Sequence, residues 1–123
     1  MVASVQWVEE AIVAIEEGKH DRATGLLERA ISVEPNNGRA FYYYGLAMGA
    51  RGDTSSAITL LRKAEILLQG DARALGDVYA QMGVNLERLG RRSEAAQRYE
   101  QALARDPTQA LAQRRLQALK GGN

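Results

Sequence analysis

Apolar residues fall at helical spacing in seven blocks along the chain, and glycine, proline or short polar stretches separate them. The first block runs from Val2 to Glu17 and is stopped by Gly18; His20 and Asp21 open a second that runs to Val33. Glu34-Pro35 and the turn Asn36, Asn37, Gly38 then precede a third block, Arg39 to Ala50. Gly52-Asp53 breaks the chain again, and Asp53 or Thr54 caps a fourth helix reaching Leu68. A fifth starts near Asp71 and ends at Leu89, Gly90 interrupts, and a sixth spans Ser93 to Arg105. Asp106-Pro107 leads into a seventh, Thr108 to Leu119. The pattern predicts an all-α protein.

The blocks repeat in pairs. Gly18, Ala23, Ala30 and Pro35 recur as Gly52, Ala57 and Ala64, and again as Gly90, Ala95, Ala102 and Pro107. The period is 34 residues from Gly18 to Gly52 and 38 from Gly52 to Gly90. A period in the thirties marks a stack of helical hairpins. The four extra residues fall between Gln69 and Gly76, where one added turn on helix five absorbs them, with Asp71 as its N-cap. The expected organisation is a single domain over residues 1–120, with units at about 4–37, 38–75 and 76–109, a capping helix at 108–119 and a frayed tail at 121–123. Leu111, Leu116 and Leu119 give the last helix one apolar side, and Gln113, Arg114, Arg115 and Gln117 leave the rest polar, as a terminal cap needs.

Small residues at Ala11, Gly45 and Gly83 allow the two helices of a hairpin to approach closely, and aromatics fill the wedge between hairpins. On helix one, Val5, Val8, Ile12 and Ile15 form a second apolar stripe beside Trp7, Ala11 and Ala14. Either a partner covers that stripe, or helix one is rotated so that it packs on helix two with Glu10 turned to water. Of Tyr42, Tyr43 and Tyr44, the last can pack inside while the first two either look outward as anchors or cover the adjacent hairpin.

The repeated residues resemble the tetratricopeptide repeat, with its aromatic, small and proline positions at set intervals. Unit one supplies Trp7, Ala11, Ala23, Leu27, Ala30 and Pro35; unit two Phe41, Gly45, Ala57, Leu61 and Ala64, with Gln69 where proline is usual; unit three Tyr79, Gly83, Ala95, Tyr99, Ala102 and Pro107. The resemblance covers residues 4–109, and Glu10 departs from it where an apolar residue is usual. It implies a right-handed superhelix of three hairpins plus the capping helix, whose first helices line a concave groove for extended or helical peptides. The groove positions it implies are Val5, Val8, Ile12 and Ile15; Arg39, Tyr42, Tyr43 and Leu46; Asp77, Ala80, Gln81, Val84 and Arg88; and Leu111 and Arg114. Some co-chaperones of the family hold acidic C-termini of heat-shock proteins with a Lys and Asn carboxylate clamp. The matching positions here are Val8, Ile12, Tyr43, Asp77 and Gln81, so that clamp is absent.

Composition narrows the function class. The 123 residues suit one domain, and 46% hydrophobic with 25% charged residues suits a globular one. There is no Cys, which excludes disulfides and thiolate metal sites. Glu9 and Glu10 interrupt the apolar start with no base before them, and no apolar run reaches the ~18 residues of a membrane helix, so a cytoplasmic protein without membrane insertion is expected. The single His20 reads as a turn residue, and Glu9, Glu10, Glu16 and Glu17 as a solvated helix face. Arg91-Arg92 and Arg114-Arg115 lack interleaved aromatics, and a net charge of +1 argues against nucleic acid. No phosphate loop, nucleophile elbow or metal-ligand spacing occurs, so no cofactor, metal or enzyme activity is expected.

The sequence therefore points to an adaptor or scaffold with an apolar groove, where Arg39, Arg88 and Arg114 favour a partner carrying acidic residues. A chaperone for a secreted or membrane-destined subunit would use the same groove. Residues 1–37 hold seven acids against three bases, and residues 76–123 five acids against eight bases. That asymmetry would also suit weak head-to-tail self-association into a structural module.

Overall fold

The computed structural model describes residues 2–121, which form seven helices: α1 (Val2–Glu16), α2 (His20–Val33), α3 (Gly38–Ala50), α4 (Thr54–Leu67), α5 (Ala72–Arg88), α6 (Arg92–Arg105) and α7 (Ala110–Gly121). They pair as hairpins α1–α2, α3–α4 and α5–α6, with α7 following. Gly121 ends α7 instead of fraying, and the remaining expected tail lies outside the described residues. The chain divides into two compact units, residues 1–67 with α1–α4 and residues 68–123 with α5–α7.

The helix ends explain the repeating punctuation. Gly18, Gly52 and Gly90 have φ of +75°, +90° and +77°, a left-handed conformation that costs a side chain dearly. At each, the next residue's N–H reaches back five residues, Lys19 to Ala14, Asp53 to Met48 and Arg91 to Leu86, at 2.8–2.9 Å. These bonds satisfy carbonyls that the helix end would otherwise orphan. The first helices of the second and third hairpins, α3 and α5, start on side-chain caps: Asn37 Oδ1 accepts from Ala40 N–H and Asp71 Oδ1 from Ala74 N–H, both at 3.0 Å. Asp53 Oδ1 caps α4 through Ser56 N–H at 3.1 Å. α5 holds 17 residues against 13 in α3, so the longer period is the one added turn.

The hairpin crossings are as tight as the small residues require. A Cβ on Gly45 would stand 2.9 Å from Leu61 Cγ and 3.2 Å from the Ala57 carbonyl oxygen, and one on Gly83 would overlap the ring of Tyr99. Ala23, Ala57 and Ala95 on the second helices are fully buried.

In the first unit the core joins three helices: Val8, Ala11 and Ala14 of α1, Leu26, Leu27 and Ala30 of α2, and Ala40 and Ala47 of α3. Trp7, Ile12, Ile15, Tyr43 and Tyr44 pack against it. Both apolar stripes of α1 are therefore used inside the unit, because α1 packs on α2 and also touches α3. Neither expected reading of the second stripe holds as stated: α3 takes part in covering it, and only Val5 at its start is left 53% exposed. Glu10 does face water, as do Gln6 and Val13. Their equivalents one period on, Ala40, Tyr44 and Ala47, pack into the α1–α2 core. The departure at Glu10 is the polar end of the stack, where no apolar residue is needed. α7 mirrors it: the positions that in α3 are Phe41, Gly45 and Met48 are Gln113, Gln117 and Lys120, all exposed.

Candidate functional site

The implied groove positions fall into two sets, one in each compact unit. In the first, the Arg39 guanidinium on α3 donates to the Glu9 carboxylate on α1 and lies over the Tyr43 ring, 5.3 Å from its centroid. Asn37 Nδ2 donates to the buried Ser4 hydroxyl at 2.9 Å, tying the same two helices at their starts. Around these ties, Val5 is exposed and Ile12, Ile15, Tyr42 and Leu46 are half-buried. The rings of Tyr42 and Tyr43 meet edge to face, 4.9 Å apart at 77°. Tyr43 packs on the core and so is a lining more than an anchor.

Two implied residues are not available. Val8 is 1% exposed and belongs to the core, and Ala80 is fully buried. Val8 is lost because α1 meets two helices, which leaves less free surface than one helix ending a stack would have. Arg39 is also changed as a selector for acidic partners, since Glu9 already neutralises it.

In the second unit, Asp77 accepts from Gln109 Nε2 at 3.0 Å. Gln81, Val84 and Leu111 are half-buried, whereas Arg88 and Arg114 are exposed. Next to them is a three-membered cluster that the sequence reading missed. Arg115 Nη2 and Nε donate to the two Glu87 oxygens at 2.6 and 3.0 Å, and the buried Tyr99 hydroxyl donates to Oε2 at 2.5 Å. The Arg115 bonds hold the Glu87 carboxyl below the usual range, against burial, and the Tyr99 bond helps. Burial first, and the hydrogen bond to Glu87 second, push the Tyr99 hydroxyl up. No sequence signal flags these partners, which stand 12 and 28 residues apart.

The other charged candidates are structural. Glu10 meets Arg22 at 3.4 Å, Glu17 meets Lys19 at 3.2 Å, and Arg91 grips Glu94 at 2.6 Å. His20 opens α2 and is partly buried, not an exposed turn residue. Among the described residues no group of three His, Asp or Glu side chains could hold a metal ion, and no helix is long and apolar enough to cross a membrane.

Residues 14–83 match the model of the tetratricopeptide repeat, and residues 72–111 match a second model of the same repeat. The chain belongs to the tetratricopeptide repeat family. No curated protein matches it in sequence. Its fold is shared with many solved structures. The first such domain of Spaghetti (RPAP3), bound to the HSP90 peptide SRMEEVD, has TM-score 0.86 at 18% identity, over 98% of this chain and 92% of that one. The Arabidopsis OM64 domain has 0.88 at 21%, over 98% and 97%. The Yersinia enterocolitica type III secretion translocator chaperone SycD has 0.87 at 16%, over 99% and 95%. At these identities the likeness is one of fold. The tetratricopeptide resemblance of residues 4–109 is thereby confirmed as membership, and the all-α repeat of three hairpins and a final helix as the architecture.

Proposed function

We propose that this chain is a cytoplasmic adaptor that binds a peptide segment of a protein partner on the face made by α1 and α3 of its first unit. The observation that carries this reading is the apolar surface around Val5, Ile12, Tyr42 and Leu46, beside the Glu9–Arg39 pair that links α1 to α3. Preorganised helices present such anchors at little entropic cost. A free C-terminal carboxylate finds no Lys, Arg or Asn at Val8, Ile12, Tyr43, Asp77 and Gln81, so an internal segment of the partner is the ligand.

Head-to-tail self-association has less support than the charge count suggests, since Glu9, Glu10, Glu17 and Asp21 all have basic partners within their own unit.

The test is selection of a displayed peptide library on the immobilised chain, followed by affinity measurement for a selected peptide and for SRMEEVD. The selected peptide should bind, lose at least tenfold in affinity to Val5→Glu, and outcompete SRMEEVD. Tighter binding of SRMEEVD, or indifference to Val5→Glu with circular dichroism unchanged, would reject the proposal.

A further inference from the structure

Of the seven helices, α7 is held least. Only Ala112 and Leu116 are buried on it, against nine residues on α5. A cleft of about 510 Å³ opens along its seam with α6, lined by Leu103, Leu116, Gln117 and Lys120.

Polar ties make up for this, and they are distributed unevenly. The root of α7 is clasped: Gln109 bonds Asp77 while its Oε1 caps Ala112 N–H at 2.8 Å, and the preceding turn fits against Gly76, where a Cβ would stand 2.9 Å from Asp106 Cβ. Thr108 closes the turn through its hydroxyl and N–H on Asp106 Oδ1, at 2.6 and 3.0 Å. Beyond the root, Arg115 ties α7 to the hairpin through Glu87, the two side chains 41% and 18% exposed. One end is fixed, the Glu87–Arg115 pair ties the middle, and Ala112 and Leu116 are the buried residues of the seam.

We infer that α7 is a strap that opens as one unit about its root, with the Glu87–Arg115 pair as its catch. Segments with few buried apolar contacts open locally while the rest of a domain stays folded. Opening would uncover Leu103 and Leu116 together. The Tyr99 hydroxyl bonds Glu87 within the hairpin itself, so that bond does not need Arg115 to form. This device is independent of the proposed partner and needs none for its test.

Amide hydrogen exchange on the full chain, at fixed pH, reads it directly. The amides of Gln113 to Leu119 should exchange at a common rate faster than those of α5 and α6. Arg115→Met, which keeps an apolar stem, should raise that rate about three- to tenfold and leave α5 and α6 unchanged. Raising salt on the unmodified protein should move α7 in the same direction, because the partly exposed pair is screened. Tyr99→Phe should accelerate α5 and α6 without a selective effect on α7. Exchange of α7 in step with the hairpin, or an α7 rate indifferent to both Arg115→Met and salt, would overturn the inference.

Discussion

The ring of Tyr99 lies against Gly83 so closely that a methyl group on Gly83 would overlap three of its carbon atoms. Because Tyr99 is fully buried and its hydroxyl is committed to Glu87, the ring has nowhere to retreat. Gly83→Ala should therefore destabilise the protein by ~1–3 kcal/mol, although alanine is the better helix former. Gly25, inside α2, is the control: nothing lies within 4 Å of its Cβ position. Gly25→Ala should stabilise by ~0.5–1 kcal/mol. Urea denaturation with equal slopes for both variants checks the pair.

Val8 and Val5 sit on the same stripe of α1 and should respond oppositely to the same substitution. Val8→Glu places a charge in the core and should unfold the first unit, with loss of helical circular dichroism. Val5→Glu, on an exposed site, should leave the thermal midpoint within a few degrees of the parent. Equal midpoints for the two would contradict the placement of α1 against α3.

Much of this was legible along the chain. The left-handed ends at Gly18, Gly52 and Gly90, the cap at Asp71 and the close crossings at Gly45 and Gly83 each depend on local backbone or on one neighbouring helix, and the residue types record that dependence. What was not legible depends on how many elements a face meets. Val8 and Ala80 have the periodicity of surface stripes, and only a third helix decides that Val8 is covered. Arg39 read as a free cation because Glu9 lies 30 residues away, and Glu87 carries no local mark of its bonds to Tyr99 and Arg115.

Acid should find the Glu87 cluster. Arg115, Tyr99 and, through space, Arg92 favour the carboxylate, so the fold lowers its pKa. Stability from that ionisation is complete above the unfolded value and is lost as pH falls through the folded one. Glu87→Gln should therefore lessen the loss of stability as pH falls below the ordinary carboxylate range, as followed by denaturation midpoints across an acid series. An unchanged acid slope would show that the carboxylate is not held in the charged form.

A bound peptide should land on the face of α1 and α3. Chemical-shift mapping with a selected peptide titrated into isotopically labelled chain tests that most directly. The predicted result is that the largest shifts cluster at Val5, Ile12, Tyr42 and Leu46. Shifts centred instead on the outer crevice of α3 and α4, at Ser55, Ser56 and Thr59, would contradict it.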